Sequence, residues 1–85
     1  MYFQYKVLMQ LQPYKGYFVD GRANLIHPFN PLSYPGGTVL KSGRFGSIIQ
    51  VARLELRFFY MEDDLAKWFG LQLAALFVDE CLTGR

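Results

Sequence analysis

From Asp63 to Arg85 the apolar positions recur at helical spacing, and they do so on two sides of the helix rather than one. At roughly 100° per residue, Leu65, Phe69, Leu73, Leu76 and Phe77 gather into one stripe, which the spacing assigns to covering a sheet. Beside it run Ala66, Gly70, Ala74 and Cys81, a row of small side chains that would let a neighbouring backbone come close. Trp68, Leu71, Ala75, Val78 and Leu82 form a second stripe, expected on the side away from the sheet. From Leu71 to Leu82 it has the spacing of a helix–helix seam. Asp63 is the expected N-cap, the acidic first turn suits the positive end of the helix dipole, and Gly84 is placed to end the helix.

Upstream the period changes from helical to alternating. Phe3, Tyr5, Val7, Met9 and Leu11 alternate with mostly polar neighbours, which predicts a half-buried strand over Tyr2–Gln12 that ends at Pro13. Asp20-Gly21 between apolar runs reads as a type I′ hairpin turn, with strands at about Gly16–Val19 and Arg22–Ile26. His27 to Gly37 holds Pro28, Pro31, Pro35 and a Gly-Gly pair, which predicts an irregular loop. Thr38–Leu40 is a short strand candidate, followed by a loop over Lys41–Gly46. The longest candidate is Ser47–Tyr60, where Ala52, Leu54, Leu56, Phe58 and Tyr60 share a face. Arg53, Glu55 and Arg57 occupy the other face, and a change of phase near Ile48-Ile49 implies a bulge or bend. The pattern predicts one α+β domain over residues 1–85, in two layers. An antiparallel sheet of about four to five strands packs on a single C-terminal helix, and the charged face of the sheet meets water.

Composition sharpens this picture. Of the 85 residues 52% are hydrophobic and 19% charged, which argues for a folded domain and against disorder. Eight Phe, six Tyr and one Trp give a large apolar payload for so short a chain. A domain of this size is marginally stable unless helped. The lone Cys81 can form no internal disulfide, and one Cys with one His cannot build a structural zinc site. Oligomerisation or a protein partner is the remaining source of help. The opening Met-Tyr-Phe-Gln-Tyr-Lys lacks the form of a signal peptide, and no stretch forms a convincing membrane span. A cytoplasmic protein is therefore expected.

Candidate chemistry is sparse. His27 precedes Pro28 with no nucleophile near it in sequence, and Cys81 sits among apolar residues where thiols are usually inert. Glu62, Asp63 and Asp64 are explained by helix capping, and no metal or cofactor is expected. The loop Lys41-Ser42-Gly43-Arg44-Phe45-Gly46 could offer amides and cations to phosphate. With Arg53 and Arg57 it makes an alternative nucleic-acid face, although a net charge of +2 gives that reading little support. The leading expectation is a non-enzymatic protein-interaction module that is self-associating or binds a protein partner through Trp68, Leu71, Ala75, Val78 and Leu82. A small inhibitor or accessory protein of the kind phages encode would fit. The one intramolecular claimant for those five residues is the His27–Gly37 loop, through Phe29, Leu32 and Tyr34.

Overall fold

The computed structural model describes residues 11–83. Four antiparallel strands, β1 (Gln12–Tyr14), β2 (Tyr17–Leu25), β3 (Ser33–Ser42) and β4 (Ile48–Glu55), form one sheet in chain order. A single helix, α1 (Asp63–Thr83), follows and packs across β2 and β3. The expected α+β architecture is thus present, a sheet on a helix. The strand expected over Tyr2–Gln12 lies, up to Gln10, outside the described residues.

The type I′ signal falls one turn earlier than expected. β1 and β2 are joined by Lys15 and Gly16, both at positive φ (52° and 89°), directly after the Tyr14–Tyr17 pair. A two-residue loop needs that geometry to match strand twist. Asp20 and Gly21 instead lie inside β2, opposite Thr38 and Gly37. Gly21 therefore serves packing rather than turning.

The proline-rich stretch is also more regular than its composition implies. β3 begins at Ser33 and carries Pro35, Gly36 and Gly37 in a central strand. Pro35 lacks an amide, and its carbonyl accepts the Leu56 N–H at 3.0 Å just where β4 has ended. Few ladder bonds are lost there, which is why proline is tolerated. Only His27–Leu32 remains a loop, and it does not fold over α1: Phe29 is exposed, and Tyr34 belongs to β3.

The pairs Val19–Val39 and Gly21–Gly37 face the helix, while Asp20, Arg22, Thr38, Arg53 and Glu55 face away. Val19, Val39, Ala74 and Val78 form the buried cluster, with Tyr17, Ala52, Leu71 and Phe77 packed on it. Between Val39 and Leu40 the register shifts against β4, leaving Val51 as the extra residue. This bulge is the change of phase anticipated near Ile48-Ile49, placed two residues later.

Candidate functional site

The buried positions of α1 are Ala66, Gly70, Ala74 and Val78, one row at four-residue spacing. This corrects the expected orientation of the helix. The row of small side chains covers the sheet, while of the stripe of large ones Phe77 flanks the core and Leu65, Phe69 and Leu76 stay exposed. The reason is written in the strands. A Cβ added to Gly21 would meet the Lys67 carbonyl and lie 2.6 Å from the Leu71 nitrogen. One added to Gly37 would strike the Gly70 carbonyl, and one added to Gly70 would strike the Gly36 carbonyl. Helix and sheet backbones touch where neither side has a Cβ, a use of glycine that outweighs its helix-propensity cost of about 1 kcal/mol.

Close approach decides what is left outside. Leu65, Trp68, Phe69 and Leu76 project from the side of α1 opposite the buried row, and Leu76 is 59% exposed. Trp68 and Phe69 meet edge to face, with ring centroids 5.0 Å apart.

The five residues expected to bind a partner are divided by this geometry. Val78 is fully buried in the core, because it continues the Ala66–Gly70–Ala74 row, so it is corrected from the outer stripe to the sheet side. Leu71 and Ala75 are half-buried, and Leu71 packs against the core. Trp68 and Leu82 are exposed, at 53% and 55%. Trp68 and Leu71 do meet, in an open groove of about 500 Å³ that runs between α1 and the outer edge of β2 beside Lys67 and Arg22. Leu65, Phe69 and Leu76, assigned from sequence to the sheet, belong instead to the exposed face. The signal that could have found them is the pair of strand glycines Gly21 and Gly37, matching Gly70 in the helix.

The ends of this face carry charge. Asp79 accepts hydrogen bonds from the Tyr14 hydroxyl (3.0 Å) and the Lys15 ammonium (2.7 Å), which tie the end of α1 to the β1–β2 turn. Lys15 and then Tyr14 hold the Asp79 carboxyl below its ordinary range, and Asp79 in turn raises Lys15. At the other end Asp63 accepts the Ser33 hydroxyl at 2.7 Å, while the first helical bond runs from the Ala66 amide to the Glu62 carbonyl. Asp63 is therefore a fastening to β3 as well as a first-turn acid. Asp79 is fastened too rather than simply solvated, whereas Glu80 is exposed.

The basic residues considered for nucleic acid do not gather into one patch. Arg53 and Arg57 both contact Glu55, at 3.5 and 3.2 Å, and the Arg57 bond holds that carboxyl below its ordinary value. Lys41 and Arg44 sit at the opposite end of β4, around the tight turn that presents a fully exposed Phe45. Arg22 lies across Gly36, level with Arg53 and Glu55 on the same sheet face, and donates to the Thr38 hydroxyl, while burial raises the Asp20 carboxyl. His27 Nδ1 accepts the Phe29 amide at 3.2 Å and so shapes its own turn. Cys81 is exposed rather than buried. Among the described residues no three His, Cys, Asp or Glu side chains cluster as a metal would require, and no helix is long and apolar enough to cross a membrane. Compared with known proteins, the chain matches no family model, no curated protein and no solved structure.

Proposed function

We propose that this protein is a non-enzymatic interaction module whose α1 outer face, centred on Leu65, Trp68, Phe69 and Leu76, associates with a second copy or a protein partner. One observation carries this reading: small residues fill the sheet side of α1, so its large apolar residues are left outside. Burying a side chain of this size completely is worth about 1.5–3 kcal/mol, so a few of them supply the core of an interface. Exposed apolar residues that adjoin one another usually mark such contacts. Trp68 is the sole tryptophan and lies on the face itself, so its fluorescence reports coverage. Light scattering with emission recorded at rising concentration tests self-association. A mass increase with a blue shift, both lost in Leu76→Glu, supports it. Hydrogen exchange on the protein captured with a bound host partner tests the other arm. If α1's outer face gains protection in neither setting, the reading fails.

A second reading, nucleic-acid binding, draws on the uneven division of charge between the layers. Lys15, Arg22, Lys41, Arg44, Arg53 and Arg57 lie in the sheet layer against Asp20 and Glu55, whereas α1 holds Asp63, Asp64, Asp79 and Glu80 against Lys67. Retention on immobilised DNA or RNA that falls steeply with salt, and is weakened by Lys41→Ala and Arg44→Ala, would favour it.

A further inference from the structure

We propose that β4 pairs with the β4 of a second copy, antiparallel about a two-fold axis at Leu54. The surface is independent of the α1 face. β4 is an edge strand, paired to β3 on one side and to nothing among the described residues on the other. It contains neither Gly nor Pro, and Ile48, Ile49 and Val51 are exposed along it. A free edge of this kind is a template for another chain.

The direction of the backbone follows from one bond. The Leu56 amide donates to the Pro35 carbonyl, so Leu56 and its alternates Leu54 and Ala52 turn their polar groups toward β3. Arg53 and Glu55 therefore turn theirs to the open edge. Their side chains lie on the sheet face away from α1. With the axis at Leu54, Arg53 stands opposite Glu55 of the second copy, and Glu55 opposite its Arg53. The outward amides and carbonyls then meet in hydrogen-bonded pairs, and the side chains meet as opposite charges.

The helix-side row matches as well. Ala52, Leu54 and Leu56 would face Leu56, Leu54 and Ala52 of the copy, apolar on apolar. Neighbouring registers fail. An axis at Arg53 opposes Arg53 to itself, and an axis at Glu55 opposes Glu55 to itself and Arg53 to Arg57. An axis at Ala52 would run the pairing across the bulge at Val51. Bulges and edge charges usually blunt a free strand; here they leave one register standing. The product is a continuous eight-stranded sheet with both helices on one face.

Sedimentation equilibrium of the full chain tests this, with variants chosen to spare the fold. Arg53→Pro removes an amide that no described residue pairs with, so the protein should stay folded and become monomeric. Arg53→Glu should weaken the dimer roughly tenfold or more, and R53E/E55R should restore it. In a Cys81→Ser background, Leu54→Cys should oxidise to a disulfide dimer, since the two Cα atoms at the axis would be about 4.5 Å apart. A wild-type chain that is monomeric at every concentration, or a Leu76→Glu protein whose dimer survives Arg53→Pro, overturns the proposal. Leu76→Glu should leave this dimer intact, so its failure and that of the α1 face are told apart.

Discussion

The two sides of α1 reverse the usual distribution of size. Its sheet side is lined by Ala66, Gly70 and Ala74, with Val78 the one larger residue, while its outer side carries Leu65, Trp68, Phe69 and Leu76. In most two-layer domains large side chains fill the space between helix and sheet. Here Gly21 and Gly37 on the sheet and Gly70 on the helix remove the gap, and attraction between close backbones replaces the bulk of large side chains. The difference teaches that hydrophobicity alone does not orient a helix. The side that can come closest becomes the inner one, and the larger residues are surrendered to whatever lies outside.

The sharpest way to break this contrast is to give the inner side bulk. Gly70→Val should cost more than about 3 kcal/mol, at or beyond the upper end for overpacking, because the atoms it strikes are backbone and cannot rotate away. In a domain of this size that loss should leave the chain largely unfolded by circular dichroism. Phe69→Val, one position away on the outer side, should change stability by no more than about 0.5 kcal/mol. Equal effects at the two positions would show that α1 is rotated from the orientation described.

A charge asks the same question with a smaller perturbation of shape. Val78→Glu buries a carboxylate beside Val19 and Val39 and should unfold the protein at neutral pH. Leu76→Glu should preserve the melting temperature within a few degrees and abolish any association through the outer face. A Leu76→Glu protein that melts far lower would mean that the residue is covered within the monomer.

How much of this was legible in the sequence depends on which physical term decided each element. The sheet-then-helix order, the outward side chains of Arg53 and Glu55 and the acidic start of α1 follow from periodicity and capping, which are local. The Asp20-Gly21 turn was misplaced because its residues fit a type I′ turn equally well, and only pairing with Thr38 and Gly37 holds them in a strand. Pro35, Gly36 and Gly37 read locally as breakers, yet Pro35 stands where β4 ends and the missing side chain of Gly37 is what α1 requires. Helical angle alone groups Trp68, Leu71, Ala75, Val78 and Leu82 on one face, whereas the glycines decide which side of α1 is drawn in. Val78 moved to the core for that reason, and Leu65, Phe69 and Leu76 moved out.

On the open side of the sheet a milder effect is expected at Asp20. Burial raises this carboxyl above its ordinary value of 3.8, so it costs stability when ionised. That cost is absent below the ordinary value and grows as pH rises through the raised one. Asp20→Asn should therefore stabilise the fold at neutral pH, by no more than about 1 kcal/mol for a half-exposed group. Urea midpoints should show the gain shrinking as the pH is lowered.

The smallest expected effect belongs to the tie between the outer end of α1 and the β1–β2 turn. Lys15 and Tyr14 hold Asp79 below 3.8, so its contribution is present in full above that value and lost as pH falls through the lowered one. Lys15 moves in the opposite direction: raised above 10.5, its share is present below that value and lost only as pH climbs past it. Between these limits the pair is flat with pH. Asp79→Asn should therefore lower the urea midpoint slightly and by a constant amount across the neutral range, with the gap to wild type closing only under acid conditions. Both partners are largely solvated, so added salt should narrow the same gap at pH 7. A gap that instead widened on acidification would mean that Asp79 is penalised by burial, and that the end of α1 is covered rather than merely tethered.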